Sequence, residues 1–201
     1  MDDRFKIFVD TETTGLLDFK LPADDPAQPR MASITLILDA PCGRTVNIFH
    51  SYVRPDGWSM PQGPGSAGAV NGLTDDFLTA HGKPIVDVLD IWNAWLSEHD
   101  PLVVAHNTTF DMKVIRGEQR RAGLPDRFED VEPFCTMKRS TAICRVPGPR
   151  GLKWPNLGEA HKHFFGFVAP GAHGSLSDAW ACRSIFYALL PHLNAMEAAN
   201  V

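Results

Sequence analysis

Four acidic side chains fall in three short stretches of this chain and have the chemistry of metal ligands: Asp10, Glu12, Asp111 and Asp178. Carboxylates held side by side repel one another unless a cation lies between them, and hard divalent ions prefer oxygen ligands. If folding brings the three stretches together, they form a site for two ions, either Mg²⁺ or Mn²⁺. Such a site could support hydrolysis of a phosphodiester bond.

Asp10 and Glu12 belong to the first stretch. Residues 5–10 are rich in β-forming side chains, and Gly15 marks a turn after them. Side chains two apart on a strand point to the same face, so the two carboxylates should lie next to each other. An isolated Asp-x-Glu pair is more often a solvated acidic turn, so this pair needs support from the other stretches.

Asp111 and Asp178 each stand at the predicted start of a helix. Thr108 lies three residues before Asp111, and Ser175 lies three residues before Asp178. That spacing also fits a capping box, in which the acid only satisfies backbone N–H groups. Taken singly, each aspartate is therefore open to either interpretation. Two such acids following an acidic strand pair favour the metal site.

His173 stands five residues before Asp178, in a loop with glycine and alanine neighbours. Histidine titrates near neutral pH, so it could accept a proton from a water that a metal has made more acidic. Most of the eight histidines of the chain are expected to be ordinary surface residues. The spacing to Asp178 distinguishes this one.

The three stretches together resemble the motifs of the DnaQ-like 3′→5′ exonuclease superfamily, in its DEDDh branch. They read Asp-Thr-Glu-Thr-Thr-Gly, His-Asn-Thr-Thr-Phe-Asp and His-Gly-Ser-Leu-Ser-Asp, and the likeness extends over about residues 5–190. A sister branch carries tyrosine where this chain has Gly174, so the histidine branch is the one resembled. Further segments are similar to small single-domain members such as exonuclease X and proofreading subunits.

The resemblance implies an α/β, ribonuclease H-like fold with a mixed central sheet flanked by helices, and two bound Mg²⁺ or Mn²⁺ ions. It implies that the four acids named above are metal ligands and that His173 is the general base. The residues expected to contact the substrate are Thr13, Thr14, Leu16, Asn107 and Phe110. Leu16 is expected to wedge against the last base.

The function that this resemblance implies is hydrolysis at the 3′ end of single-stranded or frayed DNA, with release of nucleoside 5′-monophosphates. One alternative is an exoribonuclease acting on short RNA, because the motifs do not reveal how a 2′-hydroxyl would be recognised. Another is an inactive nucleic-acid-binding module, with a polymerase as a candidate partner. All five catalytic positions are filled, which argues against loss of activity.

The chain departs from the resembled family at two places. Residues 16–30 are longer than the loop common in the family and are expected to form a surface loop near the site, where they would alter substrate access. Ser33 replaces a glutamate that many members carry on the second strand. Little catalytic consequence is expected from this replacement, because that glutamate is not a metal ligand.

Length and composition are consistent with one domain spanning residues 1–201. The chain has 201 residues, 44% of them hydrophobic, which is enough for one well-buried core. No stretch approaches the roughly 20 apolar residues of a membrane span, and the N-terminus lacks an apolar signal core, so we expect a cytoplasmic protein. The four cysteines form no Cys-x-x-Cys pair and are expected to be reduced.

The net charge of −5 is close to neutral once the proposed metal ligands are discounted. Residues 133–158 contain no acid, and this segment interleaves cations with aromatic residues. These are Lys138, Arg139, Arg145, Arg150 and Lys153, with Phe134 and Trp154. The segment could hold phosphates and stack bases, or it could be a solvated helix face followed by a loop.

The apolar pattern predicts the elements that position the candidate site. Strands are predicted over residues 5–10, 33–39, 45–53, 102–106 and 131–135. Helices are predicted over residues 84–97, 109–122, 137–145, 155–165 and 177–196, and residues 57–65 are predicted to be a loop. Three early strands followed by alternating elements favour a mixed sheet covered by helices.

Overall fold

A computed structural model describes residues 3–171 and 174–199, apart from the side chain of residue 130. The strands are β1 (Lys6–Thr13), β2 (Met31–Asp39), β3 (Thr45–Tyr52), β4 (Leu102–Ala105) and β5 (Glu132–Cys135), followed by a short hairpin, β6 (Pro147–Gly148) and β7 (Gly151–Leu152). The helices are α1 (Ala67–Asn71), α2 (Asp75–His81), α3 (Ile85–His99), α4 (Thr108–Arg121), α5 (Thr136–Cys144), α6 (Leu157–Phe165) and α7 (Ser175–Ala198). A 3₁₀ turn covers Phe128–Asp130.

The five main strands form one mixed sheet in the order β3-β2-β1-β4-β5. Strand β1 is central: it pairs antiparallel with β2 and parallel with β4. Every residue of β2 is buried, because helices or connecting segments cover both faces of the sheet. This architecture confirms the predicted α/β class with a mixed sheet flanked by helices.

Alternation along β1 divides the core into two layers. Ile7 and Val9 pack with α3 and α4 on one face of the sheet. Phe8 faces the other side, where it packs against Ala179 and Phe186 of α7. Asp10 and Glu12 continue the series of Phe8 and therefore point towards α7. The central strand thus aims its two carboxylates at the helix that carries Asp178.

The segment 16–30 follows β1 and is tied to α4. Arg30 forms a bidentate ion pair with Glu118, with N–O distances of 2.8 and 2.9 Å. Lys113 donates to two backbone carbonyl oxygens of the segment. Gly117 leaves room for the backbone of Ala23, where a Cβ would collide. The predicted surface loop is confirmed as irregular structure, and it is anchored along the helix that begins with the second motif.

Helices α1 and α2 were not predicted from the sequence. Both are short, and each begins with a hydroxyl side chain that accepts a hydrogen bond from the helix backbone: Ser66 for α1 and Thr74 for α2. Too few turns are present for an apolar stripe to repeat, so periodicity does not reveal them. The loop predicted over residues 57–65 has no regular structure. Among the described helices, none combines the length and the apolarity that crossing a bilayer requires.

The capping interpretation of the two aspartates is wrong. The N-cap of α4 is Asn107, in the left-handed conformation with φ 83°, and the N-cap of α7 is Gly174. Neither cap forms a side-chain hydrogen bond to the helix. Thr108 and Ser175 are thus the first helical residues rather than caps, and Asp111 and Asp178 are left to other partners.

Candidate active site

Three of the four predicted acids converge where β1 meets α7. Asp10, Glu12 and Asp178 each present a carboxylate oxygen, and these oxygens lie within 4.8 Å of one another. The first two come from one face of β1, and the third comes from the first turn of α7. Among the described residues, the donors that meet at this point are all carboxylate oxygens, which suits a hard divalent cation.

Asp111 lies beside this group and approaches β1 through Thr11. Its Oδ1 accepts hydrogen bonds from the backbone N–H of Thr11 at 3.0 Å and from the Thr11 hydroxyl at 2.9 Å. Thr11 points to the α4 face of the sheet because it alternates with Asp10 and Glu12. Asp111 is buried, so these two donors compensate part of the cost of burying its charge.

Burial raises the pKa values of Asp10, Glu12 and Asp111, and like charge raises those of Asp10 and Glu12 further. Burial is the largest cause for Asp10, whose pKa rises well above its ordinary value, and Asp111, Asp178 and Glu12 add like charge. The pKa of Glu12 rises to about 7 through burial and the charges of Asp178 and Asp111, against a hydrogen bond with Asn71 that lowers it. The pKa of Asp111 also rises to about 7, mainly through burial. A cation among these groups would remove the repulsion, so the donor set fits a divalent metal.

His173, the predicted general base, lies outside the described residues. The nearest described residues on either side of it in the chain are Gly171 and Gly174. The hydroxyl oxygen of Ser177 lies within hydrogen-bond distance of the carbonyl oxygens of both, at 2.8 Å for Gly174. The assignment of His173 stays a prediction.

A cleft of about 630 Å³, here called the Phe110 cleft, opens beside Glu12 between the end of β1 and helix α1. Thr13, Thr14, Leu16 and Phe110, four of the five predicted substrate contacts, line it together with Asn71. The Leu16 side chain is 90% exposed. Asn107 is instead the N-cap of α4, with its backbone in the left-handed conformation. All five assignments as substrate contacts stay predictions.

Asn71 is a site residue that sequence reasoning missed. Its amide hydrogen-bonds with Glu12, its Nδ2 lies 3.4 Å from the carbonyl oxygen of Thr13, and its Oδ1 accepts from the backbone of Leu73. It therefore joins the loop after α1 to the acidic strand. The Asn-Gly pair at residues 71–72 signals a turn but gives no indication of contact with a distant carboxylate.

A buried chain of hydroxyl groups holds the start of α7 against the sheet. Ser175 Oγ lies 3.0 Å from both Ser33 Oγ and Thr35 Oγ1, and Thr35 Oγ1 lies 2.8 Å from His50 Nδ1. The three hydroxyl residues are at most 1% exposed. Ser33 is also the β-sheet partner of Glu12. Ser33 thus anchors the helix that supplies Asp178.

His106 ties the segment before α6 to the opposite side of the site. Its ring lies in a cleft of about 440 Å³ that Asp10 and Asp178 also line. Nε2 donates to the carbonyl oxygen of Pro155 at 3.0 Å, and Nδ1 lies 2.9 Å from the hydroxyl of Thr136. Burial lowers the pKa of His106 to about 4, so the ring is neutral at physiological pH. Its role is therefore to join two segments rather than to carry charge.

No protein-family model matches the chain, and no curated protein matches it significantly in sequence. Solved structures of Escherichia coli exonuclease I are similar in fold. A complex with a dT13 oligonucleotide has a TM-score of 0.74 at 20% identity, over 96% of this chain and 43% of that one. A product-bound structure has a TM-score of 0.73 at 18% identity, over 94% and 43%. A zinc-bound complex with single-stranded DNA has a TM-score of 0.69 at 21% identity, over 90% and 39%.

These similarities confirm the ribonuclease H-like fold that the motif resemblance implies. Identity near 20% supports the fold alone, and the chain spans less than half the length of the exonuclease I chain. Within that fold, the carboxylate cluster of Asp10, Glu12 and Asp178 could hold a metal ion. The protein has the fold seen in the matched part of exonuclease I, with an acidic group assembled between its central strand and helix α7.

Proposed function

We propose that this protein is a metal-dependent 3′→5′ exonuclease that hydrolyses single-stranded or frayed DNA and releases nucleoside 5′-monophosphates. The convergence of Asp10, Glu12 and Asp178 within 4.8 Å is the observation that carries the proposal. A second support is the Phe110 cleft, which begins at Glu12 and offers an exposed Leu16 to a terminal base.

The proposed site holds two Mg²⁺ or Mn²⁺ ions, with Asp10, Glu12, Asp111 and Asp178 as ligands. Bound ions of this kind lower the pKa of a coordinated water and stabilise charge on the phosphate and on the departing oxygen. Thr11 orients Asp111 through two hydrogen bonds. Asn71 orients Glu12, and His173 accepts the proton of the attacking water.

DNA is favoured as substrate because solved structures with the same fold are complexes of exonuclease I with DNA oligonucleotides. An exoribonuclease and an inactive binding module are the alternatives. A polymerase partner and a cytoplasmic location also stay predictions, as does the single domain over residues 1–201.

The test is digestion of matched 5′-labelled DNA and RNA oligonucleotides with Mg²⁺ and with chelator. A ladder that shortens from the 3′ end of DNA, requires the metal and disappears in the Asp10→Asn variant supports the proposal. Faster shortening of RNA would favour the exoribonuclease. Binding without any metal-dependent nucleotide release would favour the inactive module and overturn the proposal.

A further inference from the structure

We propose that Lys138, Arg139 and Trp154 form a binding surface, here called the α5 surface, for the single strand that lies upstream of the cleaved bond. This inference rests on the proposed function, since it assigns the path of that substrate. The sequence left the acid-free segment 133–158 open between nucleic-acid contact and a solvated face. The structure distinguishes the side chains of this segment that already have partners from those that are exposed to solvent.

Two members of the segment are already occupied by other contacts. Lys153 forms an ion pair with Glu159, with Nζ–O distances of 2.7 and 3.0 Å. Phe134 packs edge-on against Phe186 in the core, with ring centroids 4.9 Å apart. Neither side chain is therefore available for a ligand.

Lys138 and Trp154 remain available and face each other. The Lys138 ammonium lies 5.7 Å from the centroid of the Trp154 ring, and Trp154 is 59% exposed. Arg139 follows Lys138 and lies over Phe134, 5.6 Å from its centroid. Within residues 3–171 and 174–199, no carboxylate forms an ion pair with Lys138 or Arg139. An exposed indole beside unpaired cations matches a ligand that carries both flat rings and phosphates.

The α5 surface continues from the candidate active site along the start of α4. Lys138 and Arg139 line a groove of about 280 Å³ together with Thr108 and Thr109. The next residue, Phe110, lines the cleft that contains Glu12 and Leu16. A chain that occupied the Phe110 cleft could thus reach Lys138 by crossing the first turn of α4.

A second connection fixes the position of Trp154. The next residue, Pro155, is held through its carbonyl oxygen by His106, which shares a cleft with Asp10 and Asp178. Pro155 is buried, whereas Trp154 projects into solvent. The indole is therefore presented by an anchored segment, so little ordering is needed when a base stacks on it.

Single-stranded nucleic acid fits this surface better than a duplex. In a duplex both faces of each base are covered by neighbouring bases, so an exposed indole finds a partner only at an unstacked base. The cations can contact phosphates at the same time, which gives binding that depends on salt but little on sequence.

The test compares a long and a short substrate. The long one is a dT12 oligonucleotide, and the short one is the 4-nitrophenyl ester of thymidine 5′-monophosphate, which cannot reach the α5 surface. For Trp154→Ala we expect KM for dT12 to rise roughly 5- to 100-fold. Hydrolysis of the ester by Trp154→Ala should be unchanged. The Trp154→Phe variant should retain most of the affinity for dT12, because phenylalanine keeps an aromatic face.

The cations are tested by salt dependence of dT12 binding, measured by fluorescence anisotropy in Ca²⁺. The Lys138→Ala/Arg139→Ala variant should reduce the slope of log K against log salt by about 1.4, since each phosphate contact on a single strand contributes about 0.7. The matched control is Arg54→Ala/Lys83→Ala, which removes the same charge beyond β3 at the opposite edge of the sheet. The control should leave the slope unchanged.

Two results would overturn the assignment: unchanged dT12 binding in both α5-surface variants, or an equal loss on dT12 and on the ester. If the wild-type protein hydrolyses neither substrate, the proposed function fails. Anisotropy still tests the α5 surface in that case, because binding in Ca²⁺ needs no turnover. A loss of dT12 binding confined to the α5-surface variants would support a strand-binding surface on its own.

Discussion

Replacing Glu12 with glutamine should stabilise the metal-free protein at pH 8 and leave its stability nearly unchanged at pH 4. The glutamine keeps the size of the side chain and an oxygen that can accept from Asn71, but it removes a charge that burial disfavours and that Asp178 and Asp111 repel. The variant therefore isolates the free energy of unfolding that is lost when Glu12 is ionised within this acidic cluster.

The magnitude follows from the pKa of Glu12, which rises from 4.5 to about 7 on folding. The folded state holds this proton more tightly than the unfolded state, so stability falls as pH rises from about 4.5 to about 7. Each tenfold change in proton affinity corresponds to about 1.4 kcal/mol. The wild type should therefore be less stable than Glu12→Gln by a free energy on the order of 3 kcal/mol above pH 7. Below pH 4.5 both states are protonated and the difference vanishes.

The assay is urea unfolding at pH 4, 6 and 8 in the presence of chelator, for the wild type, Glu12→Gln and a control, Glu197→Gln. Glu197 is exposed near the end of α7, so its replacement should leave the pH dependence unchanged. With Mg²⁺ at pH 8 the wild type should become more stable than Glu12→Gln, because metal binding adds to its free energy of unfolding. Identical pH profiles for the wild type and Glu12→Gln in chelator would refute the argument that burial and like charge disfavour ionised Glu12.

Three further predictions concern the candidate site. Asp178→Asn should abolish Mg²⁺-dependent nucleotide release with little loss of fold, because it relieves repulsion; substantial residual release would remove Asp178 from the ligands. His173→Ala should lower kcat roughly 10²- to 10⁴-fold without changing metal affinity, and a pH–rate profile like that of the wild type would contradict its role as base. Ser175→Ala should destabilise the protein by about 1–3 kcal/mol, since Ser33 and Thr35 lose a buried partner, and raise the Mg²⁺ concentration needed for half-maximal activity. An unchanged Mg²⁺ requirement would show that the start of α7 does not depend on this contact.

The sheet and its five strands were predictable because each strand is a short apolar or β-rich run bounded by turn residues. The same holds for the long helices, whose apolar stripes repeat over several turns. The start of α7 was predicted two residues late, at residue 177 instead of Ser175. The reason is that Ser175 is a polar residue buried by hydrogen bonds with β2, and hydrophobic patterning cannot register that kind of burial.

The sequence by itself determined which side chains could act: two carboxylates on one face of β1 and one acid at the start of each of two helices. Only the tertiary structure decided their partners. Thr11 with Asp111 and Ser33 with Ser175 are 100 and 142 residues apart, and such pairs form only after the sheet and helices pack. The same packing decided which cations of the segment 133–158 are neutralised. Lys153 forms an ion pair with Glu159, whereas the Lys138 ammonium lies over the ring of Trp154. Local spacing sets the direction of a side chain along its own element, but the distance between elements depends on the packing of the whole core.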